Sequence, residues 1–257
     1  HAAALKHVPL VENNPRQGLY TNVLGSKNVA DACRAHGVSA MVQISTDKAV
    51  NPTNVMGASK RIAEMYTQSL DLSRTNDYDC RFVTVRFGNV LGSTGSVVPL
   101  FQKQLVQGGP LTVTDERMTR FFMTIREAVE LVLQASSLAW QANDLSGKIC
   151  VLDMGEPVRI LNLAEQMIRL AGFEPYHDID IKITGLRPGE KLYEEVFHGE
   201  EKPMESEIKG ILIAKPRSIS HEEMEKYIAR LLALPNDLAL VKKMIKEIVP
   251  EFTSPNN

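Results

Sequence analysis

The sequence is poor in the residues that mark a specialised class of protein. Aromatic residues make up 6% of its 257 positions, and there is one Trp. The three cysteines, Cys33, Cys80 and Cys150, lie far apart and form no CxxC pair. This excludes a disulfide scaffold, gives no zinc or redox motif, and suits reduced, buried thiols in a reducing, cytoplasmic compartment. No apolar run approaches the roughly 20 residues that span a bilayer, and no signal peptide is visible. An excess of one charge is missing too: 29 Lys and Arg stand against 31 Asp and Glu, a net charge of −2. That balance offers no global attraction for nucleic acid or an anionic membrane. The six histidines show no metal-ligand spacing, so no metal site is expected.

What is present is an ordinary globular composition, 44% hydrophobic and 23% charged, with ample length to bury a core. The chain opens on His1-Ala2-Ala3-Ala4 without an initiator Met or a preceding strand, which reads as a segment cut from a longer polypeptide. Apolar spacing predicts a helix from about Pro15 to His36, a buried strand over Ala40–Ile44 and a helix from Gly57 to Leu72. Further strands are predicted over Arg81–Phe87, Lys148–Leu152 and Ile179–Ile183. Further helices are predicted over Val97–Gln107, Glu127–Trp140, Ile160–Ala171, His221–Leu232 and Asn236–Ile248, with Trp140 read as a packing residue. Strands alternating with helices indicate an α/β protein built on a parallel sheet.

Parallel sheets of this kind place ligands at the carboxyl ends of their strands. The loop after Ile44 reads Ser45-Thr46-Asp47-Lys48-Ala49-Val50-Asn51-Pro52-Thr53-Asn54-Val55-Met56-Gly57-Ala58-Ser59-Lys60. A hydroxyl, a carboxylate and an amine stand adjacent there, the ingredients of acid–base chemistry. On spacing alone, a solvated polar loop with an Asp-capped turn is the simpler reading. Met56 and Lys60, four residues apart, share one helix face.

Longer stretches shift that balance. The run from Ser45 to Arg61 resembles the active-site stretch of the UDP-N-acetylglucosamine 4,6-dehydratases, extended short-chain dehydrogenases/reductases of bacterial polysaccharide biosynthesis. Similar stretches follow in the family's order: His1–Pro9, Thr21–Gly25, Arg86–Pro99, Met118–Thr124 and Arg187–Lys191. The superfamily uses Tyr-x-x-x-Lys; here Met56 stands in the tyrosine place and Lys60 remains. A thioether takes no proton. In the resembling family, Met at this place is typical of the larger, membrane-anchored, retaining branch, so the resemblance implies a parent anchored upstream although this segment makes no membrane contact.

The resemblance implies a Rossmann-like doubly wound parallel sheet and a smaller substrate-binding portion. Residues 1–95 would be the C-terminal part of the dinucleotide-binding domain. Residues 96–257 would be mainly substrate-binding, with the chain crossing back to the sheet around 125–155. The implied chemistry oxidises carbon 4 of a UDP-sugar with NAD or NADP, NAD favoured. It removes the carbon 5 proton, eliminates water from carbon 6 and returns hydride there. Thr46 would bind the carbon 4 oxygen, Lys48 would be the base at carbon 5 and Asp47 the acid at carbon 6, with Lys60 on the nicotinamide ribose. The Lys48 role calls for a depressed pKa, which burial and the neighbouring Lys60 could supply. Ala2, Ala3, Asn22, Phe87 and Asn89 are the further cofactor positions implied. Lys6, Asn89, Ser96, Val97, Arg120, Arg187 and Glu190 are those implied for substrate, the arginines suiting diphosphate. What accepts the carbon 4 hydroxyl proton stays open among Asp47, Thr46 and water. A GxGxxG fingerprint is absent, so NAD and NADP are not distinguished. The family also implies a homo-oligomer. The rival readings are a 5-inverting dehydratase or epimerase, and a non-catalytic nucleotide-sugar-binding module.

Overall fold

The strand Ala40–Thr46 (β1) is buried at every second position, the pattern of a strand packed more tightly on one face. Arg81–Phe87 (β2) is buried throughout except at its last residue. In the computed structural model, which describes residues 1–76, 79–199 and 201–254, these strands pair in parallel from Ala40 opposite Arg81 to Thr46 opposite Phe87. Thr46-Asp47 and Phe87-Gly88 therefore leave the sheet side by side.

Before β1 come the helices Val8–Asn13 (α1), Pro15–Leu19 (α2) and Gly25–Ala35 (α3), the last two joined by a π-helical turn over Tyr20–Leu24. A 3₁₀ turn, Asp47–Ala49, follows β1 and leads to Val55–Leu72 (α4). After β2 the chain forms Asn89–Val90 (β3), Val97–Val106 (α5), Leu111–Val113 (β4), Thr119–Arg120 (β5), Phe122–Met123 (β6) and Ile125–Gln141 (α6). Then follow Ile149–Leu152 (β7), Val158–Arg159 (β8), Ile160–Leu170 (α7), Ile181–Ile183 (β9), Met204–Glu205 (β10), Ile211–Ala214 (β11), His221–Leu232 (α8) and Leu238–Ile248 (α9).

The main sheet has the order β1-β2-β7-β11-β10. Successive β2 residues face opposite layers. Phe82 joins Met41 under α4, while Val83 and Val85 pack with Ala128, Ala135 and Ala139 of α6. The sheet is thus covered on both faces, a doubly wound, Rossmann-like α/β arrangement. The all-parallel expectation needs correction at one edge, where β11 runs antiparallel to β7 and β10 antiparallel to β11. A strand arriving antiparallel needs no crossover helix.

A smaller core, with Phe101, Leu111, Ile160, Ala164, Ile168 and Ile181, joins α5, β4, α7 and β9. Residue 96 is not a clean boundary. Beyond this small lobe, β11 extends the main sheet, and Ile228 of α8 and Ile245 of α9 complete the core beside Ile62 and Tyr66 of α4. Trp140 corrects another expectation: at 48% relative exposure it packs little. Among the described residues, no helix is long and apolar enough to cross a membrane.

The helix α4 begins at Val55, two residues earlier than its spacing predicts, because the Asn54 side chain caps it by accepting the Gly57 N–H at 2.8 Å. It is buried almost end to end. Its polar residues survive there because they are paired: Arg61 with Glu251 at 3.1 Å, and Glu64 with Arg86 of β2 at 2.9 Å.

Candidate active site

Thr46 closes β1, and its hydroxyl donates to Asp47 Oδ1 at 2.9 Å while lying 3.4 Å from the Lys48 N–H, a long contact. The 3₁₀ turn folds the Lys48 side chain back over this pair. Its ammonium donates to Asp47 Oδ1 at 3.0 Å and to Asn89 Oδ1 at 3.2 Å, and stands 3.4 Å from Glu194 Oε1. Asp47 is fully buried, and its second oxygen, Oδ2, has no hydrogen-bond partner among the described residues. Gly88 makes room for it: a Cβ there would lie 3.0 Å from that oxygen. The loop that reads as solvated on spacing alone is therefore an interior acid–base cluster.

Lys60, one turn into α4, donates to the Ile44 carbonyl at 2.6 Å. Burial lowers its amine from the usual 10.5 to about 8, partly opposed by the Glu64 carboxylate. The expected depression at Lys48 needs correction. Burial is the largest single influence on that amine and works to lower its pKa. The Asp47 and Glu194 carboxylates together outweigh it and leave the pKa raised. The lysine with weakened proton affinity is Lys60.

Thr46, Lys48 and Lys60 line a cleft of about 390 Å³, which Ala2, Lys6, Met56, Phe87, Asn89 and Ser96 also border. A neighbouring cavity of about 210 Å³ is bordered by Asn89, Ser96, Val97, Arg120, Arg187 and Glu190. A third, of about 170 Å³, shares Lys48, Arg120, Arg187 and Glu190 with these two. The sequence-predicted residues are thus brought together on one connected surface, with three exceptions. Asp47 is fully buried and borders none of these cavities, reaching them only through its bonds to Thr46 and Lys48. Ala3 is exposed and does not border the cleft. Asn22 is buried in the π-helical turn, where it accepts from the Leu5 N–H at 2.7 Å and donates to the Leu5 carbonyl and the Ser59 hydroxyl, both at 2.9 Å. It shapes the Ala4–Lys6 wall instead of facing the cavity.

The two arginines differ. Arg187 is exposed and makes no ion pair among the described residues. Arg120 is largely spent within the protein. It donates to the carbonyls of Thr119, Leu192 and Lys191 at 2.8, 3.1 and 2.7 Å and stands 3.5 Å from Glu194 and 3.8 Å from Glu190. Glu190 also accepts from the Arg187 backbone N–H at 3.0 Å, which closes the Arg187–Glu190 turn. Ser96 precedes α5 with its hydroxyl buried and without a hydrogen-bond partner among the described residues, at a helix N-terminus whose N–H groups suit an anion. Lys6 reaches the Ser93 hydroxyl only at 3.5 Å. Glu194 escapes the sequence reading altogether. In sequence it sits in an unremarkable polar run, and nothing local announces that it meets Lys48. Among the described residues, no group of three or more His, Cys, Asp or Glu is placed to hold a metal ion.

The model of the family described as "Polysaccharide biosynthesis protein" matches residues 1–216. The chain belongs to this family. It is 58% identical over 203 residues to the capsular polysaccharide biosynthesis protein CapD of Staphylococcus aureus, covering 78% of this chain and 32% of CapD. It thus spans about a third of the length of that relative. It is 36% identical over 217 residues to a UDP-N-acetylglucosamine 4,6-dehydratase (inverting) of Campylobacter jejuni, covering 84% of this chain and 60% of that enzyme. The X-ray structure of Pen from Bacillus thuringiensis superimposes with a TM-score of 0.74 at 33% identity, over 91% of this chain and 75% of Pen. The family model, CapD and the dehydratase agree with the family resemblance carried by the motifs.

Proposed function

We propose that this chain carries the sugar-processing site of a nucleotide-sugar 4,6-dehydratase that converts UDP-N-acetylglucosamine to its 4-keto-6-deoxy product with retention at carbon 5. The observation that carries the reading is the convergence of Thr46, Lys48 and Lys60 on one cleft, with the buried Asp47 bonded to both Thr46 and Lys48 and Met56 in the place of the usual base. A nicotinamide cofactor, NAD by preference, would supply the hydride acceptor and donor. The cleft suits one: the only acceptor of the Lys60 amine among the described residues is the Ile44 carbonyl, which leaves N–H groups for ribose hydroxyls.

The hydrogen bonds suggest where the carbon 4 proton goes. Thr46 donates to Asp47 and keeps a lone pair to accept from a substrate hydroxyl. A proton arriving at Thr46 passes along that bond to Asp47. Asp47 then holds the proton that the carbon 6 hydroxyl needs to leave as water. Neutralising Asp47 also removes one of the two carboxylates that keep Lys48 charged. The Lys48 side chain, 22% exposed, can then release its proton to water and act as the base at carbon 5. Arg187, Ser96 and the start of α5 are placed to receive the diphosphate. Oligomerisation, upstream anchoring and a cytoplasmic site belong to the same proposal and rest on the family resemblance.

The test is UDP-N-acetylglucosamine incubated with the full-length protein and NAD⁺, with the Asp47→Asn, Lys48→Ala double variant as control. Loss of one water, with a new 6-methyl proton signal absent from the control, supports dehydration. Unchanged substrate with folded, cofactor-bound protein overturns it. A 4-epimer of unchanged mass would support the epimerase reading, which the Met56 position argues against.

A further inference from the structure

We propose that Glu194 is a positioning residue whose carboxylate ties the Lys48 amine to the Arg120 guanidinium and so fixes Lys48 where Asp47 and Asn89 converge. One oxygen, Oε1, lies 3.4 Å from Lys48 Nζ and 3.5 Å from Arg120 Nε. Its side chain is only 3% exposed. A buried carboxylate is costly unless paired, so its place between two cations is a specific arrangement and not a solvated contact. The second oxygen, Oε2, is buried without a partner among the described residues, so the pairing with Lys48 and Arg120 is what holds this charge.

The backbone delivers Glu194 to this place by design of its neighbours. Gly189 has a left-handed φ of 76°, and its carbonyl accepts from Thr53 and Asn54 at 2.8 and 2.9 Å. Arg120 then grips the carbonyls of Lys191 and Leu192. The segment is pinned on both sides of the cleft before Glu194 turns inward.

The charged groups that face Lys48 are Asp47, Glu194 and Arg120, the first two favouring its ammonium form and the third opposing it. Removing the Glu194 charge takes away one favourable neighbour and leaves Arg120 less compensated. Both changes weaken the hold of Lys48 on its proton. The importance of this for catalysis rests on the dehydratase reading, but the test does not, because it needs neither substrate nor cofactor.

The experiment is competitive acetylation of this chain across a pH series, read lysine by lysine by peptide mass spectrometry, for wild type, Glu194→Gln and Glu194→Asp. Exposed Lys103 and Lys243 serve as internal standards. In wild type, Lys48 acetylates only at higher pH than the standards. In Glu194→Gln its onset moves to lower pH while the standards stay put, and Glu194→Asp, which keeps the charge, returns the onset toward wild type. An unmoved Lys48 onset in folded Glu194→Gln overturns the proposal. If Glu194→Gln does not fold, the folded Glu194→Asp variant decides. A Lys48 profile close to wild type supports the charge, and a profile matching the standards overturns it.

Discussion

Gly57 packs directly against the backbone carbonyl of Lys48, so closely that a methyl group on Gly57 would overlap that oxygen and its carbon. The first turn of α4 is therefore the back wall of the acid–base loop. Gly57 has ordinary helical geometry, so alanine would suit the helix itself. Any loss on substitution then measures the clash alone. Gly57→Ala is expected to destabilise the fold by about 1–3 kcal/mol, the usual cost of overpacking. It should also displace Asp47 and Lys48. Urea unfolding checks the first, and the acetylation profile of Lys48 the second. An unchanged profile would show that the loop is not set by this contact.

Lys60 gives a pH-dependent prediction. Its amine falls from 10.5 to about 8 on folding, chiefly through burial, so the folded state binds that proton more weakly than the unfolded state. Below about pH 8 both states carry the proton, and the fold bears the full penalty, about 3 kcal/mol. Between about 8 and 10.5 the unfolded chain holds a proton that the folded chain has shed, and this contribution to stability rises with pH. Lys60→Met removes the penalty but also the charged bond to Ile44, worth about 2 kcal/mol. It should be roughly 1 kcal/mol more stable than wild type near pH 7 and lose that advantage near pH 10. Denaturant curves at the two pH values check this. A variant less stable near neutrality contradicts it.

Much of this site was legible before the fold. β1, β2 and the Thr46-Asp47-Lys48 junction follow from apolar runs ending in polar residues. The cap at Asn54 and the protonation of Lys48 did not. The first is a side chain reaching three residues ahead, and the second depends on Asp47 together with Glu194, which arrives from a distant loop. The family resemblance implies a place for Asn22 near the cofactor, yet a π-helical turn directs its side chain to Leu5. The four-residue strand β11 was missed because so short an apolar run carries no period.

The buried pair of Arg86 and Glu64 predicts a large and recoverable loss. Arg86 contacts Glu64 through two nitrogens at 3.1 and 2.9 Å and reaches Glu201 at 3.2 Å. Burial works to raise the Glu64 carboxyl, but Arg86 and Arg61 overcome it and hold it below its usual 4.5. Arg86→Met leaves that buried charge with Arg61 alone, 3.3 Å away, and should cost about 3–5 kcal/mol. Adding Glu64→Met should return much of the loss. A double variant no more stable than the single would show that Glu64 is not the source.

The two arginines proposed at the diphosphate end, Arg120 and Arg187, should separate cleanly. Arg187→Ala removes an exposed side chain without an ion pair among the described residues. It should leave the melting temperature unchanged and weaken UDP binding about tenfold or more, since hydrogen bonds to charged groups contribute about 1.5–3 kcal/mol. Arg120→Ala should lower the melting temperature, because three carbonyls lose the Arg120 donor and Glu194 is left with Lys48 alone. Calorimetry and thermal melts distinguish the two. Equal effects of both variants on both quantities would contradict this division.

The most direct test of the central claim is proton NMR of UDP-N-acetylglucosamine turned over in D₂O by the full-length protein with NAD⁺. If Lys48 removes the carbon 5 proton and exchanges it with solvent, the product carries deuterium at carbon 5 and a new methyl group at carbon 6. A product with the carbon 5 proton intact and no methyl group would contradict the account.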